Sequence, residues 1–182
     1  MLTGPRGHLL PLVILAIGTG MRRGDLFNLQ LEKIDFQRGL IYVPNSKTGR
    51  DYAVPMNEDV RSTLRQIRST TRGNGYVFIN PDTIKPYTDV KTAFGTACPL
   101  AGIENLHWHD LRHTFGTRLA EAGCSEATIA DLMGDSDPQT TRRYTHATDR
   151  AKRAAVEAVR LRVCHNPATK QERPPLQVAV CA

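Results

Sequence analysis

The chain of 182 residues is 40% hydrophobic, which is enough to bury a core within one domain of ordinary size. Its 24 lysines and arginines against 18 acidic residues give a net charge of +6, which favours polyanionic partners such as nucleic acid. The four cysteines lack metal-ligand spacing, and the apolar stretch near the start is too short to span a bilayer, so these patterns argue against a disulfide scaffold, a zinc site and a membrane anchor. A reducing cytoplasm is the expected location.

The first predicted element is a helix from His8 to Ile17, closed by Gly18 and Gly20, whose flexible backbones suit a helix end. Arg22 therefore lies just beyond a buried helix. A short second helix is predicted from Arg23 to Leu29.

A β-hairpin is predicted next. Two β-rich runs, Leu40 to Val43 and Tyr52 to Val54, flank the turn-forming segment 44–50. Lys47 lies at the tip of this hairpin, where a flexible amine can reach a ligand across the sheet. The following helix has Asn57 as its predicted cap and ends near residue 69.

Two further helices are predicted from Thr88 to Ala101 and from His109 to Ala122. At about 100° per residue, the second of these helices separates a polar side from an apolar side that can dock on the core and hold the polar residues rigidly. The polar side comprises His109, Arg112, His113 and Gly116, and the apolar side comprises Leu111, Phe115, Leu119 and Ala122.

The last third is predicted to be helical as well. Ser125 caps a helix to Met133, and the pair Asp137-Pro138 begins another short helix. Tyr144 falls near the end of that short helix. A final helix is predicted from Thr148 to Val163, and a flexible tail occupies residues 164–182.

A phosphate clamp with a phenol nucleophile is predicted from five residues in chain order. Two arginines can neutralise a phosphodiester, a histidine and a lysine can move protons, and a tyrosine hydroxyl can attack phosphorus. Because a free tyrosine has a pKa of about 10, nearby positive charge is needed to favour phenolate in the transition state. The set predicts DNA strand cleavage without a metal or other cofactor. Its members are Arg22, Lys47, His109, Arg112 and Tyr144.

Four segments carry a resemblance to a known family. Singly each segment is weak evidence, but their order and spacing together are specific. The chain resembles the catalytic domain of the tyrosine recombinase, or phage integrase, family over roughly residues 8 to 160. The segments are Thr19-Gly20-Met21-Arg22-Arg23-Gly24-Asp25-Leu26, Ser46-Lys47-Thr48-Gly49-Arg50, His109-Asp110-Leu111-Arg112-His113-Thr114-Phe115, and Asp137-Pro138-Gln139-Thr140-Thr141-Arg142-Arg143-Tyr144.

The resemblance implies an α+β fold that is mainly α-helical with a small antiparallel sheet. It also implies that Arg22 and Arg112 hold the nonbridging oxygens of the scissile phosphate, with Asp25 orienting Arg22. Lys47 would protonate the departing 5′ oxygen.

The same resemblance implies that His109 helps to accept the proton lost by Tyr144, which then carries a 3′ phosphotyrosyl bond. His113 has a supporting role. A 5′ hydroxyl from a second duplex reverses the attack, so strands are rejoined without a cofactor. The implied partner is double-stranded DNA, bound by a homo-oligomer, a tetramer at synapsis, during integration or excision of a bacterial or phage element.

Residues 1–163 are accordingly expected to form the catalytic domain. Family members normally carry an N-terminal core-binding domain that closes around DNA, and we expect it to be absent from this chain. The segment 147–182 is expected to pack against a neighbouring subunit.

Asp135 departs from the family pattern. Within the segment Leu-Met-Gly-X-Ser, position X is usually a histidine or tryptophan that donates to the phosphate, and here it is Asp135. A carboxylate about 4 Å from a phosphate would cost roughly 4 kcal/mol at an effective dielectric constant of about 20. Either Asp135 turns away to engage an arginine or a helix end, or the protein is a catalytically impaired DNA-binding remnant or regulator.

Other interpretations remain open for the residues taken one at a time. Alone, Tyr144 fits a half-buried helix tyrosine, Lys47 a solvated turn lysine, and His109 with Arg112 a surface pair. A relaxing enzyme of the type IB topoisomerase kind shares the tyrosine chemistry. It would relax supercoiled DNA without a defined site, whereas an impaired remnant would bind DNA without forming a covalent complex.

Overall fold

The computed structural model describes residues 8–44, 51–70, 75–135, 141 and 144, and it is mainly α-helical with small antiparallel sheets. No helix within these ranges is long and apolar enough to cross a membrane. The helices are α1 (Leu9–Thr19), α2 (Arg23–Phe27), α3 (Glu58–Thr70), α4 (Lys91–Leu100), α5 (Trp108–Glu121) and α6 (Glu126–Met133), and a 3-10 turn covers Leu31–Lys33.

The strands are β1 (Ile34–Asp35), β2 (Leu40–Val43), β3 (Tyr52–Pro55), β4 (Ile79–Asn80) and β5 (Lys85–Pro86). The first three form an antiparallel sheet in the order β1-β2-β3, in which Leu40 pairs with Pro55 and Val43 with Tyr52. Because side chains alternate across a strand, Ile41, Val43 and Val54 face the core. This sheet carries the predicted hairpin beside α2.

Helix α1 lies at the centre of the fold, packed against α3 and α5. Its Leu12 and Leu15 are completely buried, as are Leu26 of α2 and Leu64 of α3. Phe94 of α4 meets the single tryptophan, Trp108, edge to face at 5.2 Å between ring centroids. Apolar residues from all of these helices and from the three-stranded sheet therefore form one continuous core.

Several predicted elements are confirmed with shifted ends. Helix α1 continues to Thr19, so that only Gly20 of the two glycines lies beyond it. Helix α4 begins at Lys91 because Asp89 Oδ1 accepts hydrogen bonds from the backbone N–H groups of Val90 and Lys91. The pair β4–β5 was not predicted.

The predicted caps are confirmed as well. Asn57 Oδ1 accepts the N–H of Val60 at 2.9 Å, and Ser125 Oγ accepts the N–H of Thr128 at 3.2 Å. One assignment was wrong: Ala122 is exposed, because it lies beyond the last turn of α5. The hairpin tip with Lys47, the pair Asp137-Pro138, the helix predicted from Thr148 and the tail lie outside the described residues.

Candidate active site

Arg112 is held between the ends of two helices. It belongs to α5 and is only 6% exposed. Its Nη1 donates to the carbonyl of Gly20, beyond α1, at 2.6 Å, and its Nη2 donates to the carbonyl of Met133, at the end of α6, at 2.9 Å. The last carbonyls of a helix carry partial negative charge and need donors, so they fix the plane of this guanidinium.

The backbone at Gly20 makes this contact possible. Its φ of 63° is in the left-handed region, which glycine enters without strain. A Cβ at this position would also collide with the ring of Phe115 on α5. The close approach of α1 and α5 therefore places the Gly20 carbonyl against Arg112.

Arg22 also reaches the end of α6, from the start of α2. It lies at the extended residue that precedes α2, and its Nη2 donates to the carbonyl of Gly134 at 2.9 Å. Asp25, three residues later, places Oδ2 at 4.0 Å from Nη1 of Arg22. Arg22 thus contacts the end of α6, as Arg112 does.

Asp135 joins the two arginines. Its Oδ1 accepts one hydrogen bond from Nη2 of Arg22 and one from Nη2 of Arg112, each at 2.8 Å. Its side chain is 9% exposed and that of Arg112 is 7% exposed, so solvent screens this ion pair little. Asp135 therefore engages both arginines, and an anionic oxygen lies at the point where their donors converge.

The charges of the four groups balance. Two guanidinium groups, of Arg22 and Arg112, face the carboxylates of Asp25 and Asp135. Burial raises the pKa of Asp25, and the coulombic attraction of Arg22 and Arg112 offsets only part of that rise. The arginine pair is therefore neutralised from within the chain before any ligand binds.

Three buried polar atoms around this pair have no hydrogen-bond partner among the described residues. They are Nη1 of Arg22, Oδ2 of Asp25 and Oη of Tyr52. Burial raises the pKa of Tyr52 to about 12, to which the charge of Asp25 adds while Arg112 and Arg22 oppose it. Tyr52 therefore keeps its proton at neutral pH, and its hydroxyl is a donor beside the arginines.

Tyr144 lies against α5. Its hydroxyl is 2.6 Å from Nδ1 of His113, and its ring packs on Gly116, where a Cβ would lie 2.9 Å from the ring carbons Cε2 and Cζ. Its backbone N–H donates to the carbonyl of Thr141, which is completely buried. The phenol of Tyr144 is thus held against α5, the helix that carries Arg112.

The start of α5 is capped by its own acidic residue. Asp110 Oδ2 accepts the backbone N–H of His107 at 2.7 Å, and this hydrogen bond lowers the pKa of Asp110. His109 follows the cap, and its exposed side chain lies edge-on to the ring of His113 at 4.6 Å between centroids.

The structure thus brings most of the residues predicted for the site into one region, at the meeting of α2, α5 and α6. Asp25, Arg22, Arg112 and Asp135 form its charged centre. His109, His113 and Tyr144 lie along α5. Lys47 is outside the described residues.

Sequence reasoning missed the backbone acceptors and Tyr52. The glycines at the two helix ends signalled the carbonyls of Gly20 and Gly134, because a glycine after a helix marks exposed last carbonyls. Tyr52 carried no signal beyond its place at the start of a strand. The contact of His113 with Tyr144 needed the three-dimensional packing of Gly116.

Comparison with known proteins adds independent information. Residues 8–151 match the model of the phage integrase family. The chain is 31% identical over 158 residues to tyrosine recombinase XerA of Pyrococcus furiosus, covering 82% of this chain and 54% of that protein. It is 31% identical over 148 residues to the integrase of Salmonella phage P22, covering 74% of this chain and 38% of that protein.

A solved structure gives the same result for the fold. The Tn1549 transposon integrase in complex with circular intermediate DNA has a TM-score of 0.70 and 25% sequence identity, covering 82% of this chain and 59% of that chain. The chain spans about half the length of the first curated relatives it matches.

Proposed function

Because the chain belongs to the phage integrase family, we propose that it catalyses site-specific DNA recombination, cutting and rejoining strands through a 3′-phosphotyrosyl bond on Tyr144. The observation that supports this most strongly is the convergence of Arg22 and Arg112 on one anionic oxygen, each at 2.8 Å. Charge-assisted bonds of this length suit a phosphate oxygen as well as a carboxylate oxygen.

In the proposed reaction, a nonbridging phosphate oxygen takes the place of Asp135 Oδ1 between the two arginines. The phenol oxygen of Tyr144 attacks phosphorus, and the 5′ oxygen leaves with a proton from Lys47. The guanidinium groups stabilise the extra negative charge of the transition state, and the loss of one such donor typically slows a reaction about 100-fold to 1,000-fold. Asp25 keeps Arg22 oriented toward the phosphate.

The proposed partner is double-stranded DNA in the cytoplasm of a bacterium, bound by a tetramer when two sites are brought together. The net charge of +6 supports attraction to a polyanion. Sedimentation of the chain mixed with a cleaved duplex tests assembly, since the mass of the complex shows whether four chains hold two duplexes. Repeating the measurement at increasing salt tests the phosphate contacts, since binding that neutralises phosphates weakens as salt rises.

Covalent trapping tests the reaction itself. The chain is incubated with a randomised pool of nicked duplexes whose cleaved fragment diffuses away, and denatured protein is captured and its DNA sequenced. We expect enriched sequences with the wild-type chain and none with Tyr144→Phe, because only the phenol oxygen forms the bond. Tyr87→Phe is the matched control, since Tyr87 packs on Phe27 in the core and should leave trapping unchanged.

Two outcomes would contradict the proposal. Adducts that persist in Tyr144→Phe would mean that another nucleophile reacts. Relaxation of supercoiled DNA with no enriched sequence would instead indicate a relaxing enzyme without a defined site.

A further inference from the structure

The contact between His113 and Tyr144 has the geometry of a proton-transfer pair. The hydroxyl oxygen and Nδ1 are 2.6 Å apart, which is at the short end of hydrogen-bond distances. The two rings are tilted by 48°, with centroids 5.8 Å apart, so the contact is made through the hydroxyl and not by stacking. A neutral imidazole with its proton on Nε2 presents a lone pair on Nδ1 to the phenol.

Both partners of this contact are fixed by the fold. His113 lies within the 14-residue helix α5, and Gly116, one turn later, receives the face of the tyrosine ring. On the tyrosine side, the backbone N–H of Tyr144 is bound to the buried Thr141. The hydroxyl therefore meets Nδ1 because two independent attachments bring them together.

The same helix links this pair to the arginine site. Arg112 directly precedes His113, and it is buried and bound to two helix ends. A rigid helix therefore sets the distance between a ligand of the phosphate and the group that holds the nucleophile. Such placement is what general base catalysis requires.

Resting on the proposed function, we propose that His113 is a catalytic residue whose Nδ1 accepts the proton of Tyr144 as the phenol oxygen attacks phosphorus. The oxygen–phosphorus bond forms, the bond from phosphorus to the 5′ oxygen breaks, and that oxygen takes a proton from Lys47. His113 ends protonated and Lys47 ends neutral, so no further reactant is needed. On rejoining, His113 returns the proton to the phenol oxygen.

This assignment differs from the one that family resemblance implies, in which His109 helps to accept the proton. His109 is exposed and meets His113 edge-on, at 4.6 Å between ring centroids. In the proposal, His109 supports the ring of His113 from the side, and His113 touches the reacting oxygen.

Nitrogen-15 NMR of the free chain at about pH 8, above the usual histidine range, tests where the proton lies without any DNA. We expect an unprotonated Nδ1 and a protonated Nε2 for His113, with the Nδ1 signal moving in Tyr144→Phe. A protonated Nδ1 would overturn the proposal, because His113 would then donate to the phenol oxygen and could not accept its proton.

Trapping kinetics on a sequence enriched with the wild-type chain test the chemical role. General base removal predicts that His113→Asn slows adduct formation by about 100-fold to 10,000-fold while DNA binding changes little. His107→Asn is the matched control, because His107 is 83% exposed and asparagine keeps its helix cap. If His113→Asn fails to fold, His113→Gln takes its place.

A DNA with sulfur in place of the 5′ bridging oxygen distinguishes activation of the nucleophile from protonation of the leaving group, because a thiolate leaves without protonation. We expect Lys47→Ala to regain activity on this DNA and His113→Asn to remain slow. Recovery of His113→Asn would place His113 at the leaving group and overturn the proposal. An unchanged rate of adduct formation in His113→Asn would overturn the role of His113 and leave the proposed function intact. Absence of any adduct between the wild-type chain and DNA would overturn both the proposed function and the role of His113.

Discussion

At the scale of single residues, Asp135 neutralises the arginine pair by forming an ion pair with both guanidinium groups. Its Oδ1 receives both guanidinium groups at 2.8 Å in a nearly buried setting. The sequence predicted both arginines and marked position 135 as divergent. It could not predict the direction of the carboxylate, because that depends on how the end of α6 meets Arg22, 113 residues away.

Replacement Asp135→Asn should have opposite effects on stability and on activity. Loss of the carboxylate leaves the buried Arg112 without its ion-pair partner, while Arg22, whose side chain is 26% exposed, keeps Asp25 at 4.0 Å. The free energy of unfolding should therefore fall by about 3 kcal/mol. Adduct formation should rise at least about tenfold, because roughly 4 kcal/mol of repulsion toward the phosphate is removed. Urea denaturation and trapping kinetics measure the two effects.

Added sulfate gives this prediction an internal check. An anion that binds the folded state stabilises it, so sulfate should restore more stability to Asp135→Asn than to the wild-type chain. The exposed Asp82→Asn is the control and should change neither quantity. Equal responses of all three chains to sulfate would contradict an internal anion at this site.

At the scale of elements, α5 shows where sequence patterns succeed and where they fail. Periodicity separated its polar side from its apolar side, with the exception of Ala122, which is exposed. The polar side is nevertheless buried at Arg112 and Gly116, since helix-end carbonyls and the ring of Tyr144 cover it, whereas Phe115 and Leu119 on the apolar side are only half-buried. Hydrophobic patterning could not reveal this, because it assigns buried positions to apolar residues.

Replacement Gly116→Ala should separate helix stability from tyrosine placement. Alanine favours a helix by about 1 kcal/mol over glycine, but its Cβ would lie 2.9 Å from the ring of Tyr144. We expect little loss of stability and at least about a tenfold loss of adduct formation, measured by thermal unfolding and trapping.

Helix α4 offers a matched control, because nothing lies within 4 Å of a Cβ at Gly95. Gly95→Ala should stabilise the chain by about 1 kcal/mol and leave trapping unchanged. A Gly116→Ala chain that reacts at the wild-type rate would show that the ring of Tyr144 does not depend on this contact.

The cap of α5 predicts a pH dependence. Because the hydrogen bond from His107 lowers the pKa of Asp110, the folded state releases this proton more readily than the unfolded chain does. The stabilisation is fully present above the ordinary pKa of 3.8 and is lost as pH falls through the lowered value. Asp110→Asn should therefore lower the stability at neutral pH and have less effect in acid.

Urea denaturation of Asp110→Asn and of the wild-type chain from neutral to acidic pH checks this dependence. Glu121→Gln, at the exposed far end of α5, is the control. A difference between Asp110→Asn and wild type that stays constant with pH would contradict the role of the charge.

At the scale of the whole molecule, the site joins distant parts of the chain. Arg22 contacts Gly134 across 112 positions, and Arg112 contacts Gly20 across 92. Local patterns predicted most helices, the hairpin strands and the caps, because those signals lie within a few residues. The meeting of the ends of α1 and α6 depends on packing through the core, which no local pattern records.

This connectivity predicts a single cooperative unfolding transition. The only tryptophan, Trp108, contacts Phe27 of α2 and Phe94 of α4, so its fluorescence reports on contacts between distant segments. In urea, its midpoint should agree with that of far-UV circular dichroism within experimental error. Loss of the fluorescence signal at a clearly lower urea concentration would mean that α5 detaches while the other helices persist.

The long separation between Arg22 and its acceptors also bears on protein synthesis. A ribosome makes Arg22 early, but Gly134, Asp135 and Tyr144 leave the exit tunnel only after most of the chain. Until then neither arginine has its helix-end acceptors from α6, and the hydroxyl of Tyr144 is not yet beside His113 of α5. The arginines therefore acquire their acceptors from α6 only when most of this sequence has been synthesised, and the proposed nucleophile, Tyr144, reaches His113 later still.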